Sequence, residues 1–301
     1  MREKPPRPTM NRLLLNTAVC PPRPQLTFVT KPLFNSNSNT NPINISVRKM
    51  TEIHNTNEAC CSIPPVQSNY QPKGITTTIN GLETYVTSNS SKKILICIYD
   101  IFGFHPQTKQ GADILATAGF KVYMPDFFRG SPFPASYYPP DTKEKKDALQ
   151  KFFGAEASVK RNLEVLKGVV GEVVKGREGE SVCLGVYGFC WGGKLSVLAS
   201  GSSTPFKAAA MIHPAMVDPA DARALTIPIC ALPSKDEDKN TMQEFENVVK
   251  EKKFGGDCVF KRYDTMHHGW MAARGDMAVK EQREMFDDGM KELVSFFKAR
   301  L

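Results

Sequence analysis

Gly185-Val186-Tyr187-Gly188-Phe189-Cys190-Trp191-Gly192-Gly193-Lys194 carries the pattern of a strand that turns sharply into a helix. An apolar run from Ser181 to Tyr187 leads into it, and a helical pattern, Lys194 to Ala199, follows at once. A strand that turns this sharply into a helix needs small residues on both sides of the corner, because the backbones approach closely and positive φ is favoured there. The residue at the apex is pushed out of the turn, with its side chain beside the helix N-terminus. Here the apex is Cys190. A thiolate beside the positive end of a helix dipole is stabilised and becomes a competent nucleophile at neutral pH. The bland alternative is a glycine-rich connection around a buried structural cysteine.

On both sides of this corner the chain alternates strands and helices. Thr76–Ile79 and Glu83–Thr87, joined by Asn80-Gly81, read as a hairpin, since Asn-Gly is a favoured two-residue turn. Ile94–Tyr99 is an unbroken apolar run, as expected for a strand buried on both faces. Further strands are expected at Phe120–Met124, Lys207–Ile212, Ile227–Leu232 and Cys258–Tyr263. Helices are expected at Gln107–Ala118, Thr142–Phe153, Ala157–Lys175 and Thr241–Lys252, with a long amphipathic one at Ala278–Arg300. This alternation predicts an α/β fold: a doubly wound, mostly parallel sheet with helices on both faces.

Three segments follow from composition. Residues 1–49 are rich in Pro, Asn, Ser and Arg and poor in acids, and read as a disordered basic leader. Residues 50–73 read as an extended arm, and residues 74–301 as one folded domain. The leader's composition also fits an organelle transit peptide, although its prolines oppose a long amphipathic helix and Met50 offers an alternative start. The formal charge of +8 is no nucleic-acid signature. Residues 1–49 hold eight Lys/Arg against the single acid Glu3, which leaves 31 bases and 30 acids for the rest. No apolar run reaches the ~18 residues of a membrane-spanning helix. Eight cysteines are scattered without CxxC spacing, so a zinc site or a thioredoxin-like motif is not expected. Cys97, Cys183 and Cys230 sit in apolar strand-like runs, and buried free thiols suit a reducing compartment. A cytoplasmic location is expected, with a mitochondrial one as the alternative if the leader targets. Adjacent Cys60-Cys61 bridge poorly, and no redox role is assigned to them.

In such sheets active sites form at the carboxyl ends of the strands. Standing there are Asp100-Ile101, Asp126 to Arg129, Cys190, His213, Asp236 and His267/His268. A nucleophilic enzyme needs a base beside the nucleophile and a third group to orient that base. Cys190, then Asp236, then His268 gives the order nucleophile, acid, histidine, each just after an expected strand. Asp236 follows its strand most closely, with Glu237 and Asp238 as alternatives, and His267 is the alternative to His268. His213 reads as a packed strand-end residue that lines the pocket, and Trp191 and Trp270 as pocket wall or core.

At this point the chain resembles a known family. Asp100-Ile101-Phe102-Gly103, Pro125-Asp126-Phe127-Phe128-Arg129-Gly130, Gly188-Phe189-Cys190-Trp191-Gly192-Gly193, Lys235-Asp236 and His268-Gly269-Trp270 together are similar to the dienelactone hydrolase (carboxymethylenebutenolidase) family, its fungal branch in particular. The resemblance covers about residues 60–301. It implies an α/β-hydrolase domain that opens a small ester or lactone through an acyl-thioester, without cofactor or metal. Cys190 is then the nucleophile, His268 the base and Asp236 its orienter. The backbone N–H groups of Ile101 and Trp191 form the oxyanion hole. The bacterial members carry glutamate where this chain has Asp100, a carboxylate that poises the thiol. They also use two arginines to grip the substrate; Arg129 lies one position from the first and Arg274 two beyond the second. The partner expected is a small-molecule substrate, with no nucleic acid or membrane, and the chain is expected to be a monomer or homodimer. The competing reading is a non-catalytic ligand-binding or redox-sensing protein on the same fold.

Overall fold

Asn80 and Gly81 take φ of +51° and +71°, the two left-handed positions that a tight I′ hairpin turn requires. They join β1 (Ile75–Ile79) to β2 (Leu82–Val86) with Ile79 opposite Leu82. The computed structural model describes residues 63–88, 90–177 and 179–301. The expected leader at 1–49 and the Cys60-Cys61 pair lie outside them.

The hairpin forms one edge of an eight-stranded sheet of order β1-β2-β4-β3-β5-β6-β7-β8. β2 pairs antiparallel with β1 and with β4 (Lys121–Pro125). All later pairs are parallel, through β3 (Lys93–Ile98), β5 (Cys183–Phe189), β6 (Ala208–Ile212), β7 (Ile229–Leu232) and β8 (Val259–Phe260). β5, β6 and β7 are buried along their whole length, as their unbroken apolar sequences require.

The helices are α1 (Pro106–Thr117), α2 (Lys143–Gly154), α3 (Val159–Lys175), α4 (Trp191–Leu198), α5 (Pro219–Ala224), α6 (Lys239–Lys250) and α7 (Lys280–Arg300). α1 packs with α7, while α3, α4, α5 and α6 touch one another in succession. Strand alternation on β5 sets what each layer meets. Tyr187 faces Phe297 of α7, and Gly185 leaves room for Phe297 and Leu301. Gly188 faces the other way, so close to α4 that a Cβ there would overlap the Gly192 carbonyl.

Two elements differ from expectation. α5, six residues capped by the Asp218 carboxylate on Ala220 N at 2.8 Å, is too short for a hydrophobic period to reveal. β8 is shorter than the run Cys258–Tyr263; its continuation stays beside β7 through Lys261 N donating to the Ala231 carbonyl at 3.1 Å and Tyr263 N to the Pro233 carbonyl at 2.8 Å, and forms an isolated bridge with Ser234. Cys183 is a correction of another kind. It is disulfide-bonded, not a free thiol, which removes it from the cysteines that suggested a reducing compartment. Cys97, Cys230 and Cys258 carry free thiols.

Residues 63–73 have no regular structure and are pinned at both ends. Val66 N donates to the Ala273 carbonyl at 2.9 Å. Tyr70 Oη and Lys73 N both donate to Asp113 Oδ2, at 2.8 and 2.9 Å. No described helix is long and apolar enough to cross a membrane.

Candidate active site

Cys190 sits between β5 and α4 with φ +54° and ψ −114°, a backbone state that non-glycine residues avoid. Close packing on both sides imposes it. A Cβ on Gly188 would overlap the Gly192 carbonyl, and one on Gly192 would overlap the Ile98 carbonyl of β3. The corner is tied down by Cys190 N donating to the Ile212 carbonyl at 3.1 Å and Ala215 N donating to the Cys190 carbonyl at 3.0 Å. Trp191 is core: its indole N–H donates to the Ala157 carbonyl at 2.8 Å and its ring packs on Phe127 and Phe128. Among the described residues neither the Trp191 nor the Ile101 amide donates a hydrogen bond. Trp191 opens α4, where helix geometry leaves N–H groups unmatched.

The acid that meets the histidine ring is Glu237, not Asp236. Glu237 Oε1 accepts from His268 Nδ1 at 2.6 Å, and both side chains are almost wholly buried. The other Glu237 oxygen accepts the Ser234 N–H. Asp236 folds back instead, and its Oδ2 accepts the His268 backbone N–H at 2.7 Å. Asp238, exposed, caps α6 by accepting from Thr241 N at 2.7 Å. The reason is reach. Asp236, nearest the strand, spends its short side chain on backbone, and one residue later the longer glutamate enters the core. Donation from Nδ1 puts the acceptor lone pair of the neutral ring on Nε2. His267 has other partners: its Nδ1 meets the His268 carbonyl at 3.0 Å and its Nε2 meets Gln282 of α7 at 3.4 Å.

Asp100 is buried at the end of β3, where its Oδ1 accepts the Phe102 N–H at 2.9 Å and its Oδ2 the Ala273 N–H at 3.3 Å. Burial raises its pKa, against the opposing pull of Arg274, the Phe102 amide and His105. Arg274 is brought into the site. Its guanidinium lies over the Tyr138 and Phe102 rings, 4.6 and 5.1 Å from their centroids, and its Nη1 donates to the His268 carbonyl at 3.4 Å. Gly269, with φ +92°, lets the chain pass Arg274, whose side chain a Cβ would strike.

Two of the expected pocket residues have partners of their own. Arg129 is exposed on a turn with φ +52°, and its guanidinium donates to the Phe127 carbonyl at 3.4 Å. Trp270 is core, its ring tilted against that of Tyr263 with centroids 4.4 Å apart and packed against Gly289 of α7. His213 does stand beside the site. Its ring stacks on Phe189 at 5.7 Å and meets His268 edge-on at 5.1 Å. Sequence reading missed Tyr138 as half of the Arg274 sandwich, because nothing in a proline-rich loop marks which ring folds inward. It also missed the arm's part in the site's frame. The Val66 carbonyl accepts from His105 Nε2 at 2.9 Å, while Val66 N holds Ala273. Among the described residues, no group of three His, Cys, Asp or Glu is placed to hold a metal ion.

Comparison with known proteins gives the family and the fold. The model of the dienelactone hydrolase family matches residues 82–301. Two uncharacterized AIM2 family proteins of Schizosaccharomyces pombe are similar, one 41% identical over 73% of this chain and 88% of its own. The other is 35% identical over 79% of this chain and 98% of its own. The crystal structure of a dienelactone hydrolase from Anabaena variabilis superposes with a TM-score of 0.54 over 78% of this chain and 100% of that one. Its 11% identity makes it evidence for the fold alone.

Proposed function

The chain belongs to the dienelactone hydrolase family and has its α/β-hydrolase fold, and from that premise we propose that it cleaves small esters or lactones with a Cys190-His268-Glu237 triad. The observation that carries the reading is the buried hydrogen bond from His268 Nδ1 to Glu237, at the strand ends beside the strained Cys190 corner. His213 links the two: its ring touches that of His268, and the Ile212 carbonyl just before it holds the Cys190 amide.

In this mechanism His268 Nε2 takes the Cys190 proton, and the thiolate attacks the substrate carbonyl carbon. The tetrahedral oxyanion is held by the Ile101 and Trp191 amides, donors that need no reorganisation. Collapse breaks the acyl C–O bond, the leaving oxygen takes the proton from His268, and the acyl group stays on sulfur. Water, deprotonated by His268, then attacks the thioester and regenerates the thiol. Glu237 holds the ring in the productive tautomer and stabilises the imidazolium. Asp100, whose charged form Arg274 favours against the effect of burial, is the carboxylate assigned to poising the thiol. A thiol is a good nucleophile and a good leaving group, so activated acyl donors such as enol lactones suit it better than alkyl esters.

The test is hydrolysis of a panel of enol lactones and p-nitrophenyl esters by the intact protein and by Cys190→Ala. The expected result is a loss of at least ~1,000-fold with the fold intact. Full activity in Cys190→Ala removes the assignment. Iodoacetamide gives a second reading, because Cys190 should react near neutral pH while burial pushes the Cys97 thiol up to about 12 and raises Cys230 and Cys258 too.

A further inference from the structure

His213 is wholly buried, and neither ring nitrogen has a hydrogen-bond partner among the described residues. A neutral imidazole brings one donor and one acceptor. Burying both unmatched carries a desolvation cost that an apolar side chain of similar shape would not. The backbone adds a second cost, since φ is +35° at this non-glycine residue. The ring is also in a particular place. It lies flat against Phe189, the last residue of β5, and edge-on to His268. Its neighbours in sequence, Ile212 and Ala215, hold the Cys190 amide and carbonyl. In the strand order β3-β5-β6 it stands across the nucleophile's strand from Ile101, on the side away from the proposed oxyanion hole. Burial, with His268 and Arg274 nearby, keeps the ring neutral, so it offers hydrogen bonds rather than charge.

Core packing alone accounts for an aromatic ring here but not for two unmatched nitrogens. A substrate atom is the partner the fold lacks. We propose that His213 is a specificity-determining substrate contact, its imidazole hydrogen-bonding an uncharged oxygen of the substrate outside the scissile carboxyl group. The site then takes oxygenated esters or lactones in preference to their hydrocarbon isosteres. The inference rests on the hydrolase reading above. That oxygen belongs either to the acyl part or to the leaving alcohol, and both present the same acceptor chemistry.

Two isosteric pairs of esters test it. One compares p-nitrophenyl methoxyacetate with p-nitrophenyl butyrate. The other compares the acetate of an ortho-methoxy-p-nitrophenol with that of its ortho-ethyl analogue. Each ratio of kcat/KM is divided by the ratio for plain hydroxide hydrolysis, so that only the protein's discrimination remains. Wild-type protein should favour the oxygenated ester by about ten-fold in one pair, which names the side the oxygen is on. His213→Phe, which keeps a ring against Phe189, should return that ratio to one. His213→Asn, which restores a donor and an acceptor and tolerates positive φ, should recover part of it. If His213→Phe does not fold, His213→Ala supplies the same ratio. No wild-type preference in either pair, an unchanged preference in the variants, or an equal fall on both members of a pair overturns the inference. The last of these marks a purely structural residue. Wild-type protein that hydrolyses none of the four esters removes the hydrolase reading and this inference with it, a result distinct from the others.

Discussion

His268 is held by two acids at once, one on its backbone and one on its ring. That division of labour makes their contributions separable. Glu237→Gln keeps the length of the side chain but can no longer stabilise an imidazolium, and should lower kcat by roughly 100- to 10,000-fold. Asp236→Ala removes an acceptor of one backbone N–H. It should cost about 1 kcal/mol of stability and leave kcat within about ten-fold. Steady-state kinetics on one activated ester, with a urea melt of each variant, decides between them; a larger kcat effect at Asp236 would reverse the assignment. The histidine and the region of the acid were legible in the sequence, because both stand just after expected strands. Which of three consecutive acids turns inward was not. That choice is made by a three-dimensional turn through Pro233 and Ser234, and proximity to the strand favoured the residue that bonds to backbone.

At the scale of elements, the corner from β5 into α4 depends on contacts no side chain can enter. Gly188→Ala places a methyl on the Gly192 carbonyl, a main-chain atom that cannot swing aside. The variant should lose more than about 4 kcal/mol or fail to accumulate as folded protein, whereas alanine at an unobstructed, exposed helical glycine gains about 0.5–1 kcal/mol. Gly171, in α3 with open space around it, is the matched control. Equal urea midpoints for the two alanine variants would show that the close approach is not needed. The corner was readable because its chemistry is local: apolar run, glycines, apex cysteine. α5 was not readable, since six residues carry too little periodicity. The packing of Arg274 between Phe102 and Tyr138 was not readable either, since it joins three loops far apart in sequence.

For the whole molecule, buried ionisable groups set how stability depends on acidity. His213 has its pKa lowered well below the ordinary 6.5, first by burial and then by His268 and Arg274. The folded protein therefore does not take up the proton that the unfolded chain binds at this residue below 6.5, so stability falls as pH drops through that value. Between about pH 7.5 and about pH 5.5 this share is about 1 kcal/mol. His213→Phe should therefore lose less stability over that interval than wild type. His105, lowered by burial in the same direction, is common to both proteins, as are Asp100 and Asp221, whose raised pKa values act oppositely at lower pH. Urea melts at the two pH values measure the difference, and parallel losses would contradict it. The proposed mechanism requires the acyl group to pass through sulfur. Acid-quenched protein from its first turnovers of p-nitrophenyl acetate, digested and weighed by mass spectrometry, tests that step directly. The expected result is one acetyl group on the peptide that carries Cys190, absent from Cys190→Ala. An acetyl group on another residue, or turnover by Cys190→Ala at the wild-type rate, would contradict it.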